Sequence, residues 1–137
     1  MSEPYCLAMV LCDAVHGDRA TGKQTILGTF STVGAREFPT RTTFSVYWAI
    51  TDLAEEAMLT MRVVDSRHGF DDESKPLGDF PSLQLQTPSP LAVLEGCFTV
   101  QNLQLPSPGV YHCELLVDDE VVMSRRLVAI KPSDIAG

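Results

Sequence analysis

Between Pro106 and Ile130 the chain reads PSPGVYHCELLVDDEVVMSRRLVAI, two apolar runs of period two separated by an acidic pair, and this stretch restricts the fold more tightly than any other. In the first run Tyr111, Cys113, Leu115 and Val117 share one side of a pleat while His112 and Glu114 fall on the other, the pattern of a strand with one buried face. Asp118 and Asp119 supply a turn, because short Asx side chains tolerate positive φ and bond to their own backbone. The stretch is therefore a β-hairpin. Its second run carries a conflict: in either strict parity an arginine, Arg125 or Arg126, points at the core, and burying an unpaired guanidinium costs several kcal/mol. An extra residue between Ser124 and Leu127 would turn both outward, so a β-bulge is expected there.

The same period recurs along the chain. Residues 5–15, YCLAMVLCDAV, are apolar on both parities as far as Asp13, which reads as a strand covered on both sides. After QTILGTFSTV, the run TTFSVYWAIT sets Phe44, Val46, Trp48 and Ile50 against Ser45, Tyr47, Ala49 and Thr51. Ala54 to Ala57 has a helical look but is too short to nucleate a helix, so a connection between strands is expected. Leu59, Met61 and Val63 alternate in another strand. From Phe70 to Pro90 four prolines break the pattern, leaving one short edge strand at Leu83 to Gln86. Leu94, Gly96, Phe98 and Val100 then restore it. Seven to nine short strands without a long helical pattern point to an all-β, antiparallel sandwich formed by a single domain, residues 1–137.

Charge and cysteine usage exclude several classes of function. With 10 Lys and Arg against 18 Asp and Glu, the net charge of −8 opposes phosphate backbones, so no nucleic-acid partner is expected. No run reaches the length a membrane helix needs, and Glu3 and Pro4 rather than a basic region precede the first apolar run, so neither membrane insertion nor a signal peptide is expected. Cys6 and Cys12 lie on one strand, roughly 20 Å apart at the strand rise, and cannot bridge each other. Four reduced thiols packed as small hydrophobes suit a cytoplasmic protein.

One motif invites a nucleotide. Gly17 to Lys23 matches the spacing of a phosphate loop, but such a loop needs a Ser or Thr after the lysine and a helix whose N-terminus faces the phosphates. Here Gln24 follows, and the next residues are β-branched and glycine-rich, so a polar hairpin loop is expected instead. His16, His68 and His112 have no paired nucleophile nearby in sequence, and no Gly-x-Ser-x-Gly is present. Asp13, His16 and Asp18, or Asp71, Asp72 and Glu73, lack the ligand count and spacing of a dedicated metal site. No catalytic residue, cofactor or metal ligand is therefore assigned. Val121, Met123, Val128 and Ile130, with Leu11 and Val15, form an apolar surplus on outward positions if the bulge falls as expected, which points to a covering loop or a second chain.

The run FTVQNLQLPSPGVYHC, Phe98 to Cys113, resembles the E-to-F stretch of immunoglobulin variable-type domains. That resemblance implies a tyrosine corner at Tyr111 and a core role for Trp48, matching the strand C tryptophan. The cysteine that would precede Trp48 is absent, so the resemblance implies a sandwich without its inter-sheet disulfide. End to end, with LCDAVHGDRATGKQTILGTFSTVGAREFP near its start and PSPGVYHCELLVDDEVVMSRRLVAI near its end, the chain also resembles a family of short bacterial proteins of unknown function, which implies a small intracellular β protein and no particular activity.

These readings converge on a non-enzymatic protein-interaction or assembly module that meets a protein partner or a second copy through its sheet edges. The alternative is a small enzyme or metal-binding protein with a site in the loops 13–23 or 65–90.

Overall fold

The Pro106–Ile130 hairpin forms as its alternation predicts, and the rest of the chain is assembled around it. The computed structural model describes residues 3–66, 76–78 and 80–132. Its strands are β1 (Tyr5–Gly17), β2 (Gln24–Thr29), β3 (Thr32–Gly34), β4 (Thr40–Thr51), β5 (Glu56–Asp65), β6 (Leu83–Gln86), β7 (Leu94–Leu105), β8 (Gly109–Val117) and β9 (Glu120–Ile130). They form a four-stranded sheet in the order β2-β1-β4-β7 and a five-stranded sheet in the order β3-β9-β8-β5-β6. Pairing is antiparallel except at β3, which runs parallel to β9, where the sequence led us to expect antiparallel pairing throughout. The fold is all-β among the described residues, and the short edge strand at Leu83–Gln86 lies where the prolines left room for it.

The core lies between the sheets. Met9, Leu11, Phe44, Val46, Trp48, Ile50, Phe98 and Val100 from one sheet meet Leu59, Met61, Val63, Tyr111, Cys113, Leu115 and Leu127 from the other. Trp48 packs flat over Gly96, where a Cβ would come within 2.7 Å of its ring, so this tryptophan requires glycine opposite it. It lies in the four-stranded sheet, while Tyr111 lies in the five-stranded one. Residues 30–34 tie the layers together: Phe30 N donates to Leu11 O at 3.1 Å, and one residue later Ser31 O accepts Val128 N of β9 at 2.8 Å.

Asp118 and Asp119 adopt φ of 49° and 69°, the paired left-handed conformation of a two-residue hairpin turn. Asp118 also joins the turn to β5, its amide donating to Met58 O and its Oδ1 accepting Met58 N, each at 2.9 Å. At the other end of β8, fully buried Tyr111 donates from its hydroxyl to Ser107 O at 2.6 Å and accepts from Ser107 N at 3.3 Å.

The expected bulge at Ser124–Leu127 is elsewhere. Leu115 faces Met123 and Leu116 faces Val121, so Val122 is the extra residue, and Arg125 then falls opposite Cys113 on the inner parity. Its guanidinium escapes burial through the open side between the sheets, where Nε donates to Met9 O of β1 at 2.7 Å. A long side chain with a buried stem and an exposed head resolves the conflict that a bulge was expected to resolve. The predicted apolar surplus changes accordingly. Leu11 is core, Met123 packs against it, Val15, Val128 and Ile130 are half-buried, and Val121 remains exposed.

Tyr111→Phe removes a buried hydroxyl and leaves backbone groups of the Ser107 turn without it, so urea unfolding should show a loss of about 1–2 kcal/mol at unchanged m-value. Asp119→Gly relieves a left-handed residue whose carboxylate is not used, and the midpoint should rise by about 0.5 kcal/mol of stability. Asp118→Gly, which loses the side-chain oxygen that accepts Met58 N, should fall instead.

Candidate functional site

Among the described residues β7 has a sheet partner on one side alone, β4, and it ends its regular register at a bulge: Thr42 faces Leu103 and Phe44 faces Val100, so Gln101 and Asn102 together oppose Thr43. Asn102 takes φ of 53°, its N–H donates to Thr43 Oγ1 at 3.1 Å, and its carbonyl accepts Arg41 Nη1 at 3.3 Å. An asparagine suits such a residue because its short amide tolerates the left-handed region. Across the gap, Leu77 N bonds to Val63 O at 2.7 Å and so extends the edge of the second sheet beyond β6. Gly78 follows with φ of 75°, and a Cβ there would lie 3.2 Å from both Leu103 and Phe80.

Between these two edges lies a groove of about 600 Å³, with Leu77, Gly78, Phe80 and Pro81 on one wall, Thr99 to Gln104 of β7 on the other, and Pro76 and Pro106 beside them. None of these lining residues is ionisable. Their polar groups are the amides of Gln101, Asn102 and Gln104 and the hydroxyl of Thr99, which can donate and accept hydrogen bonds but supply neither a nucleophile nor a general base. One wall falls in the loop 65–90 that the sequence offered as an alternative site, without singling out a residue there, and nothing in the sequence pointed to the β7 wall. Uncharged amides and prolines make no motif, and their only signal was the cluster of Pro76, Pro81 and Pro106 on either side of a strand.

The residues considered from sequence are dispersed. The Gly17–Lys23 segment is a hairpin loop: Asp18 N donates to Lys23 O at 2.8 Å, Gly22 N to Asp18 O at 2.7 Å, and strand β2 begins at Gln24 where a phosphate loop would begin a helix. The Asp18 carboxylate accepts the Ala20 amide and the Thr21 hydroxyl, which hold its pKa below the usual carboxylate value. Asp13 packs against Gly28, His16 lies three residues on, on the opposite face of β1, and no group of three potential metal ligands gathers among the described residues. His68, Asp71, Asp72 and Glu73 lie outside the described residues.

The cysteines are all free thiols. Burial pushes the Cys113 thiol up to about 12 and also raises Cys6 and Cys12, so these three are poor nucleophiles at neutral pH. Cys97 is exposed on β7. A second, smaller cleft of about 280 Å³ runs between β1 and β9 beside Arg125 and Arg126, but Arg125 is already engaged by Met9 O.

One polar pair stands on the outer side of the four-stranded sheet. The Tyr47 hydroxyl donates to Glu95 Oε2, and this bond, with some burial and the carboxylate charge, raises the phenol to about 12. The neutral phenol is the form favoured by folding, so what the pair adds to stability is full below the ordinary tyrosine value of 10 and is lost as pH rises through about 12. Tyrosinate absorbance should therefore show a late-titrating phenol that is lost in Tyr47→Phe and returned toward 10 by Glu95→Gln.

No helix among the described residues is long and apolar enough to cross a membrane. A search of curated proteins gives no match. Among solved structures the chain is similar to the Pseudomonas fluorescens alkylpurine DNA glycosylase AlkC bound to DNA containing an abasic site analog, with a TM-score of 0.56 and 9% identity. The match covers 95% of this chain and 31% of that one, so the likeness concerns about a third of the larger protein and extends to the fold alone. A family model matches residues 7–130, nearly the whole of the two-sheet body described above, and the chain belongs to that family, the family of unknown function DUF6941.

Proposed function

We propose that the chain is a non-enzymatic protein-interaction module that takes an extended segment of a partner protein along the β7 edge. The observation that carries this reading is the groove of about 600 Å³ beside a strand edge that is unpaired among the described residues, whose described lining holds no ionisable side chain. An added strand would satisfy the free backbone groups of β7, and its alternate side chains would enter the space between Phe80 and Leu103. The bulge at Asn102 limits such pairing to the part of β7 before it and disfavours open-ended stacking of strands. A groove whose described lining residues carry no formal charge, on a chain of net charge −8, suits an apolar or amide-rich segment better than a strongly charged one.

In this reading the body is an immunoglobulin-like sandwich. Support comes from the central order β9-β8-β5-β6 facing β4-β7, from β3 parallel to β9 at the edge, and from the Tyr111–Ser107 hydroxyl bond in the turn before β8. Four unpaired thiols, three of them buried, favour a reducing compartment, and we assign the protein to the cytoplasm.

The test is affinity purification from the native host with the tagged chain and two variants, Gln101→Lys, which places a charge at the edge, and Phe80→Ala, which empties one wall. Partners retained by the parent chain and lost by both variants, at unchanged thermal unfolding, support the reading. Partners bound equally by all three would remove it.

A further inference from the structure

The outer side of the four-stranded sheet has the composition of a covered surface, and nothing among the described residues covers it. β1 is apolar on both parities, as strands sandwiched between two layers are, yet only its inner residues Cys6, Met9 and Leu11 belong to the core cluster. Outward, Cys12 faces Ser45 and Ala8 faces Ala49, and Cys12, Ser45 and Ala49 are buried by their in-sheet neighbours while lying outside that cluster. Around this floor of small residues stand Val10, Tyr47 and, on β2, Leu27, which is 52% exposed; at one end Tyr5 is 61% exposed. Small residues in the centre let a second sheet approach to the usual spacing of about 10 Å.

Charge selects the occupant. The formal charges on outward strand positions are Glu95 on β7 and Arg41 on β4, with His16 near the β1–β2 loop, so this face is close to neutral on a chain of net charge −8. Two such chains repel elsewhere but can meet here. The two charges are also placed self-complementarily. Ala49 pairs with Glu95 and Arg41 with Gln104, and Ser45 lies midway between residues 41 and 49. A twofold axis crossing the strands at Ser45 carries Glu95 of one copy over the Arg41–Gln104 corner of the other, as an isologous contact requires.

The area suffices. Strands of 13, 12 and 12 residues in β1, β4 and β7, at about 3.3 Å per residue and about 4.8 Å between strands, give about 600 Å² per copy and about 1,200 Å² in all, above the roughly 1,000 Å² of a specific interface.

We infer that a second copy of this chain packs on the outer face of the β2-β1-β4-β7 sheet, face to face, about a twofold axis near Ser45. This contact is separate from the β7 groove, which opens at the strand edge.

Sedimentation equilibrium of the full chain tests it. The parent chain should be a dimer at about 10–100 µM, with a Kd that Leu27→Glu raises at least tenfold, or about 1.4 kcal/mol. Arg41→Glu and Glu95→Arg should each weaken the dimer, and the double exchange should recover affinity relative to either alone. Circular dichroism melts of each variant show whether it is folded, and the exposed thiol of Cys97, on the same face, should react more slowly with a thiol reagent in the dimer than in the dissociated Leu27→Glu chain. Met58→Glu and Val121→Glu on the other sheet, and Phe80→Ala in the groove, should leave the dimer intact. A monomer at about 100 µM, a dimer indifferent to Leu27→Glu, or a double exchange no tighter than the single ones would overturn the inference, while loss of partners by Phe80→Ala in a still dimeric chain separates it from the groove reading.

Discussion

In a strand, one inserted residue sends every side chain beyond it to the opposite face, and three such insertions determine which surfaces this chain buries. One lies between Cys6 and Ala8, one at Gln101–Asn102, and one at Val122. The first lets both Cys6 and Met9 enter the core from strand positions three apart. The second brings Leu103 and Leu105 inward beyond Val100 and opens the strand end beside the groove. The third sets Leu127 and Ala129 against the core at the cost of aligning Arg125 with them.

Most of the strands were legible because burial of one face writes itself as alternation. The β8–β9 hairpin, its Asp118–Asp119 turn, the β4 face of Phe44 to Ile50 and even the four-residue β6 lie where the pattern and the prolines indicated. What alternation leaves open is where a bulge falls. Either Val122 or the Ser124–Leu127 stretch keeps the flanking hydrophobic residues inward, and the sequence carries no glycine to mark the choice. The expectation chose the position that spared both arginines. The chain instead keeps Arg125 inward and uses the reach of its side chain to Met9 O, a contact between residues 116 positions apart that no local pattern encodes.

The site was less legible than the fold for a different reason. Motif reading rewards ionisable residues, and here those residues serve structure: Asp18 closes its own loop, Asp118 anchors a turn to β5, and Arg62 Nε meets the nearly buried Glu114 at 2.6 Å on the outer side of the second sheet. The features that bind in this reading are a strand edge and a flat face, built from amides, threonines and small apolar groups. Neither has a fixed spacing in sequence, because the two sides of the groove come from residues 76–81 and 99–106, joined only by folding. Membership of DUF6941 gives the chain a family, and the AlkC likeness supports the fold.

The crossing at residues 30–34 has a mechanical consequence. The chain leaves the first sheet at Phe30, is caught by β9 within one residue through Val128 N, and then runs alongside β9 to Gly34 before Ala35 N meets Ile130 O. A pull that drew the two layers apart would load these few amide bonds in shear, all at once, before the apolar interior could be wetted. Rupture there would then release both layers together, so the molecule should yield in a single step under force and not shed its layers in turn.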